Sequence, residues 1–436
     1  MSEPAAKPAP VSRGTAWRHP VMRAILTSQI ISALGSQLSF LALPWFVLST
    51  TGSAARMGLV FAVELLPIAL FGIPSGLLVQ RLGLRRTVIL GDAARGPLIG
   101  LVPALHFAGV LSFPMVLVLV FLSGLCTAPY LSAQRLLIPE SFGDDAGLVT
   151  AGNGLLEGAG RLASLAGPAL SGGLIAAIGA VNVLWLDAAS FAVSCTILTA
   201  KLPLPKRSLA GLAGQNRRGV LAGTRFVLGN PVLRQVSAAS LLFGAFFPLL
   251  LASLPVLART RYGGHVAVAG LLYTCWGGGA LLGVLLLSKV ANRLPPIPMG
   301  AAAAVCLALP LWLLAFPLPA WGLSAVLLVS GVFTPMLNAP LITLIMLRTP
   351  EELRAQVIAF VMTANLLVGP VGYAVTGPLL GWTSVRTVFL IMAAGVSAAA
   401  GVLCLLLRVQ LDPASPAEAT ATVRPSAEPI AQPTAS

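Results

Sequence analysis

Twelve stretches of predominantly apolar residues, most of them about twenty residues or longer, divide this sequence, and charges, prolines and glycines cluster between them. A helix of about 20 apolar residues is long enough to cross the roughly 30 Å hydrocarbon core of a bilayer. Helices are the expected form because each satisfies its own backbone amides, and the runs lack the alternation of barrel strands. The sequence therefore predicts an all-α membrane protein with 12 transmembrane helices in two bundles of six. The spans are predicted near residues 22–50, 56–79, 86–110, 113–137, 148–178 and 181–200, and near 233–257, 266–289, 298–316, 320–347, 355–379 and 386–408.

Composition excludes an ordinary soluble protein, because 57% of the 436 residues are hydrophobic and only 9% are charged, against about 25% in soluble domains. The net charge of +14 does not indicate a nucleic-acid partner, since the basic residues are dispersed at the ends of apolar runs. The five cysteines are isolated from one another, so no disulfide framework, metal site or cofactor is expected. Residues 1–20 hold no apolar core of a signal peptide, and the first span is expected to direct membrane insertion.

Basic residues lie mainly on one side of the predicted spans. Of the 27 lysines and arginines, 21 fall on that side, four fall on the other, and Arg95 and Arg161 lie within spans. Lys and Arg accumulate in cytoplasmic loops, so the pattern predicts a plasma (inner) membrane protein with both termini in the cytoplasm.

The predicted organisation has five parts. Residues 1–20 form a cytoplasmic N-terminal segment, 21–200 and 233–408 form the two bundles, and 201–232 form a cytoplasmic linker. Residues 409–436, rich in Ala, Pro, Ser and Thr, are expected to be a disordered cytoplasmic tail.

The two bundles look like copies of one another. An offset of 211 relates Pro20 to Pro231 and Pro44 to Pro255, and an offset of 212 relates Gly58 to Gly270 and the pair Gln80, Arg81 to Asn292, Arg293. Shared composition is the alternative explanation, but the matches keep register with an independent span count. Repeats of six spans imply a pseudo-two-fold axis along the membrane normal, an arrangement in which one half rocks against the other.

A motif between the second and third spans carries a family resemblance. Its residues, Gly76, Gln80, Arg81, Gly83, Arg85 and Arg86, resemble the cytoplasmic signature Gly-x-x-x-Asp-Arg-x-Gly-x-Arg-Arg of the major facilitator superfamily, with Gln80 in place of Asp. Glycine permits close helix approach and a tight turn, and the arginines are expected to bind carboxylates or helix ends across the seam between the halves. The resemblance implies a conformational switch here, with Asn292 and Arg293 as its repeat. A basic loop that only fixes topology is the simpler alternative.

Further motifs narrow the resemblance within that superfamily. Gly167, Pro168, Gly172 and Gly173 resemble its exporter motif Gly-Pro-x-x-Gly-Gly, with Ser171 at one glycine position, and predict a bend or sliding contact in the fifth span. Small-residue packing is the alternative. Residues 91–95, 139–140 and 187–191 resemble the branch of macrolide and siderophore exporters, which implies a transporter of small molecules.

Charges inside spans need a reason, because each costs at least about 2.5 kcal/mol at mid-bilayer. Glu64 has no basic residue within a turn, so it is the first candidate for proton coupling, with a hydrogen-bonded neutral acid as the alternative. Glu157 and Arg161, four residues apart, can pair and are the second candidates. Asp92 and Arg95 are expected to form a structural ion pair. Asp187 is expected to anchor its span at the outer interface.

Polar residues on three spans complete the candidate site. Gln29, Ser32, Ser36 and Gln37 gather mainly on one face of the first span, and Tyr130 and Asn338 lie in the fourth and tenth. In the superfamily, spans one, four, seven and ten line the central cavity, so the resemblance implies substrate contact. Hydrogen bonds between helices are the alternative for each residue.

The predicted function is secondary active transport, most simply the proton-coupled export of a small amphipathic compound by a monomer. No nucleotide-binding loop or catalytic pair is recognisable in the sequence, so an enzyme is not expected. The alternatives are an importer or uncoupled facilitator, and a non-transporting scaffold or receptor that recruits a partner through residues 201–232. Substrate identity depends on the shape of the cavity, which no motif specifies.

Overall fold

The computed structural model describes residues 17–72, 74–142, 145–202, 217–290 and 295–411. Within these ranges, twelve helices are long and apolar enough to cross a membrane, as predicted. Two further helices are shorter, and one spanning helix continues into a 3-10 turn at Trp312–Ala315. The helices are α1 Pro20–Thr51, α2 Ala54–Phe71, α3 Ser75–Leu82, α4 Leu84–Phe107, α5 Phe113–Phe142, α6 Ala146–Ile178, α7 Ala180–Lys201, α8 Arg217–Gly229, α9 Pro231–Arg261, α10 Val266–Val290, α11 Pro296–Leu311, α12 Ala320–Arg348, α13 Glu351–Trp382 and α14 Val385–Leu411.

The first helices of the two halves begin alike. Proline occupies the first position of both, where its missing N–H removes no helical hydrogen bond. The Asn230 side chain caps α9, accepting from the amides of Val232 and Leu233. Pro44 and Pro255 then lie equally far into α1 and α9, so the repeat seen in the sequence has a structural counterpart.

The second span is shorter than predicted. The prediction was one helix to residue 79, but α2 ends at Phe71 and a separate helix, α3, starts at Ser75. Pro74 has no N–H to continue the hydrogen-bond ladder, which accounts for the interruption. The short helix α3 carries the first part of the switch motif.

The linker contains a helix that sequence reasoning did not anticipate. Gly223 of α8 packs on Gln356 of α13, where a Cβ would lie 2.7 Å from the Gln356 backbone, and Val227 is buried. Arg225 lies on the exposed side. Parts of the predicted terminal segments and linker lie outside the described residues, namely 1–16, 203–216 and 412–436, as do Asn292 and Arg293.

The two halves meet mainly through two helix pairs, α2 with α13 and α6 with α10. At each crossing, glycine packs on glycine. A Cβ added to Gly58 would lie 2.6 Å from the Gly377 Cα, and one added to Gly172 would lie 3.0 Å from the Gly270 Cα. Gly58 and Gly270 are repeat partners in the sequence, so the same contact forms twice around the pseudo-two-fold axis. We call these contacts the glycine seams.

Both glycine seams lie toward one face of the bundle, where α1 joins α2 and α13 joins α14. We call this the far face, and the opposite face, where α1 begins and α14 ends, the termini face. The far face is closed further by Arg259 of α9, which donates a hydrogen bond to the Leu48 carbonyl of α1. The halves therefore pack together at the far face and separate toward the termini face.

Candidate functional site

A central cleft of about 900 Å³ lies between the halves. Its two walls differ in chemistry. The first half supplies polar and charged groups, and the second half supplies mainly aromatic and aliphatic groups. The first-half wall includes Gln37, Gln134, Arg135, Asn153, Glu157, Arg161 and Ser164, and the second-half wall is Phe247, Leu251, Tyr273, Trp276, Gly277, Ala280 and Leu281.

A second cavity, which we call the side pocket, extends from the cleft into the first half. Its volume is about 350 Å³, and it shares residues such as Gln37, Phe40 and Gln134 with the cleft. Five helices of the first half besides α1 contribute to it, namely α2, α4, α5, α6 and α7. Its polar lining is Gln29, Ser32, Ser36, Gln37, Ser39, Glu64, Arg95, Ser123, Thr127, Tyr130, Gln134, Ser164 and Asp187.

Three serines on one face of α1 meet three buried charged side chains. Ser32 donates to Asp92 Oδ1 at 3.4 Å, and Ser39 donates to Asp187. Ser36 accepts from Arg95 Nη2 at 2.9 Å. Residues spaced by four and three share a helix face, which is why one stripe of α1 reaches all three charges.

Asp92 and Arg95 are buried together on α4, and the expected structural pair is present. Arg95 Nη1 lies 3.9 Å from Asp92 Oδ1, and Ser194 donates to Asp92 Oδ2 at 2.5 Å. The guanidinium also lies 4.0 Å from the centroid of the Phe191 ring. Hydrogen bonds and the aromatic face thus offset much of the cost of burying this pair.

Asp187 does not anchor α7 at an interface, so that prediction is wrong. The residue is 1% exposed, and its carboxylate accepts hydrogen bonds from Ser39 and, at 3.3 Å, from Ser190. The close approach of α7 to α1 depends on Gly35, because a Cβ there would overlap Ser190 and Asp187. The close packing of α7 on α1 buries this carboxylate, which the position of Asp187 within its predicted span did not indicate.

Glu64 lines the side pocket, and no hydrogen-bond partner for its side chain is found among the described residues. Its Oε2 atom is buried and unpaired, and no cation lies within 4 Å of the carboxylate in the described part of the chain. Asp187 and Arg95 are its electrostatic neighbours. The helices that the structure describes therefore offer no hydrogen bond to this carboxyl.

Glu157 and Arg161 form the ion pair that their spacing allows, with Arg161 Nη2 3.0 Å from Glu157 Oε1. Their side chains are 71% and 53% exposed and lie on the wall of the cleft. This pair is thus open to water, unlike the charges of the side pocket.

The polar residues predicted to line a cavity mostly do so, while also bonding between helices. Tyr130 donates to Gln29 Oε1 at 2.9 Å, and Gln37 Nε2 donates to Ser164 at 2.8 Å. Asn338 is the exception. It borders a separate cavity of about 20 Å³ among helices of the second half, because its face of α12 turns away from the cleft.

Within the switch motif, Gly83 and Arg85 have defined roles. Gly83 joins α3 to α4 with a φ of 78°, a conformation that favours glycine. Arg85 donates to the carbonyls of Leu202 and Thr199 at 2.8 and 3.0 Å, at the end of α7. The arginine binds a helix end as predicted, but within the first half rather than across the seam.

The other residues of the switch motif make no such contacts in this conformation. Arg81 and Arg86 are exposed, and Gln80 is half-buried without a hydrogen-bond partner among the described residues. A Cβ on Gly76 would meet nothing within 4 Å, so this glycine is not at a helix crossing here.

The exporter motif packs α6 on both sides. Pro168 sits inside an unbroken α6, Gly167 contacts Gln37 of α1, and Gly172 forms a glycine seam with Gly270. Ser171 donates to the Leu38 carbonyl at 2.8 Å. A Cβ on Gly173 would meet nothing within 4 Å, so only part of the motif is in contact.

Charge is distributed unequally between the halves. Glu64, Asp92, Arg95, Glu157, Arg161 and Asp187 lie in the interiors of first-half helices. In α9 to α14, every described Lys, Arg, Asp and Glu lies in the first or last turn of its helix. Among the described residues, the acidic and basic side chains at membrane depth therefore belong to the first half.

Sequence reasoning missed several residues of this site. Ser39, Ser190 and Ser194 bond the buried carboxylates, and Tyr273 and Trp276 form the aromatic wall. For Ser39, the regular spacing of Ser32, Ser36 and Ser39 along the first span was a signal that the sequence already contained. Nothing in the local sequence distinguishes the two aromatic residues from ordinary core residues.

Comparison with known proteins identifies the family. The model of the Major Facilitator Superfamily matches residues 25–373, and this chain belongs to that superfamily. It is 29% identical over 382 residues to "Multidrug efflux pump Tap" of Mycobacterium tuberculosis, covering 85% of this chain and 89% of that one. The protein of the same name from Mycolicibacterium fortuitum is 27% identical, covering 85% and 91%.

Solved structures support the fold. The nucleoside transporter NupG gives a TM-score of 0.72 at 14% identity, covering 89% of this chain and 99% of that chain. A bacterial homologue of the iron transporter ferroportin in an inward-facing state gives 0.68 at 16%, covering 88% and 98%. The chain is thus a multi-pass membrane transporter with two six-helix bundles, in a family of transporters rather than enzymes.

Proposed function

We propose that this transporter exports a small amphipathic compound in exchange for protons, by alternating access of a monomer whose bundles, residues 21–200 and 233–408, rock as units. The observation that carries the proposal is the unpaired Glu64 carboxyl in a pocket that joins the cleft. The polar and aromatic walls of the cleft suit a compound with one polar and one apolar side. The relatives named multidrug efflux pumps support the direction.

The membrane orientation follows from the basic residues. With both termini in the cytoplasm of a bacterial inner membrane, the termini face is cytoplasmic, and the cleft opens where an exporter loads its cargo. The far face, closed by the glycine seams, is then external. Arg81, Arg85 and Arg86 lie at the cytoplasmic face, where the proposed switch would close the alternate state.

Glu64 is the proposed coupling group, because a carboxyl without a cationic partner exchanges its proton whenever its access to water changes. Glu157 and Arg161 are second candidates, since their pair borders the cleft and a bound compound would exclude water from it. The buried Asp187 is an electrostatic neighbour of Glu64, but both Asp187 and Asp92 are held by serine hydroxyls.

Replacing Glu64 by glutamine is expected to abolish export driven by a pH gradient, because the amide cannot release a proton. The protein should still fold, since no hydrogen bond to Glu64 is lost. The measurement is uptake of a fluorescent substrate into inverted vesicles loaded with an acidic interior, after verifying monodispersity by size-exclusion chromatography.

Glu351→Gln is the matched control for this test, since Glu351 is exposed at the start of α13, away from the cleft. It should retain export. Undiminished gradient-driven export by the Glu64 variant, alongside this control, would remove Glu64 from the coupling mechanism. Export that persists in wild-type protein without any proton flux would contradict proton exchange itself.

A further inference from the structure

Two arginines stand on the first-half wall of the central cleft. Arg135 lies two turns before the end of α5, and Arg161 lies near the middle of α6. Among the described residues that line the cleft, Glu157 is the only acidic one, and the second-half wall contributes no charged side chain. The first-half wall therefore carries one positive charge in excess.

The excess charge belongs to Arg135. No acidic side chain lies within 4 Å of its guanidinium in the part of the chain that the structure describes, and the residue is exposed. Arginines accumulate at the cytoplasmic ends of spans for reasons of topology alone. An arginine with only that role can equally face lipid headgroups, whereas Arg135 borders the space between the halves.

Arg161 is engaged on one side only. Its Nε and Nη2 atoms both contact the same oxygen, Glu157 Oε1, at 3.1 and 3.0 Å. A guanidinium has five N–H donors, and the two on Nη1 have no acceptor among the described residues. Arg161 is 53% exposed, so these donors are open to a ligand in the cleft.

The acidic groups of the side pocket do not share this wall. Arg135 and Arg161 line the cleft but not the side pocket, whereas Glu64 and Asp187 line the side pocket but not the cleft. Asp92 is fully buried. Positive and negative groups are therefore segregated into neighbouring cavities, and an anion beside the arginines does not have to enter the acidic one.

The opposite wall of the cleft is aromatic. The ring centroids of Phe247 and Trp276 lie 5.2 Å apart. Tyr273 donates its hydroxyl to the Leu251 carbonyl at 2.5 Å, so this hydroxyl is not available to a ligand. A molecule between the two walls thus meets guanidinium groups on one side and aromatic rings on the other.

We propose that the cleft binds an aromatic carboxylate, with Arg135 as its ion-pair partner, Arg161 adding positive charge to the same wall, and Phe247 and Trp276 packing on the aromatic body. Guanidinium groups suit this role because their N–H donors match the two oxygens of a carboxylate. The inference rests on the proposed export function and adds the class of cargo, aromatic monocarboxylates. An inside-negative membrane potential favours the exit of an anion, so this cargo agrees with export.

The test measures equilibrium binding without any gradient. Tritiated naproxen, which joins a naphthalene ring system to a carboxylate, is bound to purified protein in phosphatidylcholine nanodiscs, with empty nanodiscs subtracted. Naproxen amide is the neutral counterpart, and the zwitterionic lipid supplies no competing anionic headgroup. Arg135→Gln is expected to weaken naproxen about tenfold, the size typical of a hydrogen bond to a charged group, and to leave the amide within about twofold.

A second variant is expected to gain affinity. Glu157→Gln removes the carboxylate that occupies Arg161, so naproxen should bind about threefold more tightly while the amide does not. A loss of structure would not produce this gain. Arg135→Lys should retain part of the naproxen affinity. Arg234→Gln, exposed at the start of α9 and outside the cleft lining, should leave both ligands unchanged.

Three results would overturn the proposal. The first is absence of naproxen binding to the wild-type protein. The second is an equal effect of Arg135→Gln on acid and amide, including no effect on either. The third is weaker binding of naproxen to Glu157→Gln than to the wild-type protein.

The readout separates this inference from the proposed function. Binding is measured at one pH on both sides of the membrane, so it does not depend on transport. If naproxen binding ignores Arg135 while gradient-driven export requires Glu64, the carboxylate site fails and proton exchange stands. If binding requires Arg135 while no proton moves, the carboxylate site stands and proton exchange fails.

Discussion

Replacing Gly377 by valine is expected to reduce transport by about tenfold or more. A Cβ at this position would lie 2.8 Å from the Ala55 carbonyl oxygen and 3.0 Å from the Ala55 Cα, and neither backbone atom can rotate away. Overpacking of this kind costs roughly 1–3 kcal/mol, and each 1.4 kcal/mol changes a conformational equilibrium tenfold. The far face would then close less often. The expected loss of transport is measured as the transport rate of the variant in vesicles.

The shift in conformation can be measured directly. Spin labels at Thr50 and Ser384, exposed on the far face in opposite halves, should move apart in Gly377→Val, in a background without the five native cysteines. Gly381→Val is the matched control, one turn along the same helix, where a Cβ meets nothing within 4 Å. Unchanged distances together with normal transport in the Gly377 variant would show that the glycine seam is not needed for closure.

Replacing Arg95 by leucine is expected to destabilise the protein by about 3–5 kcal/mol, the usual cost of leaving a buried charge without its partner. Arg95 is 7% exposed and is the only cation within 4 Å of Asp92 in the described chain. Thermal unfolding followed by size-exclusion chromatography in detergent gives the comparison.

The second ion pair of the first half supplies the control. Arg161→Leu should change stability by less than about 1 kcal/mol, because exposed pairs contribute little. Adding Asp92→Asn to Arg95→Leu should recover part of the loss, since the unpaired carboxylate is then gone. A drop of equal size for both arginine variants would contradict the assigned difference in burial.

The span count, the two halves and the pairing of Glu157 with Arg161 could be read from the sequence, because hydropathy and helical spacing are local properties. The side pocket could not be predicted from the sequence. Whether Asp187 is buried depends on how closely α7 approaches α1 at Gly35, and the target of Arg85 depends on where α7 ends. Such contacts join residues more than a hundred positions apart, and no period in the sequence specifies them.

The break at Pro74 and the helix α8 illustrate a second limit. Both lie at the ends of spans. At Pro74 the apolar composition continues past the end of α2, whereas in α8 it is too low for the segment to count as a span. The orientation of Asn338 is a third case, since an exposed amide on α12 is compatible with either side of that helix until its neighbours are known.

The unequal distribution of charge has a consequence for how such a carrier can diversify. Because the acidic and basic side chains at membrane depth in the described helices sit in one bundle and the aromatic wall in the other, changes in the second bundle can alter which molecules fit without touching those charged groups. New cargo preferences can therefore arise from a few exchanges at Phe247, Tyr273 or Trp276, while the charged groups of the first bundle are inherited unchanged.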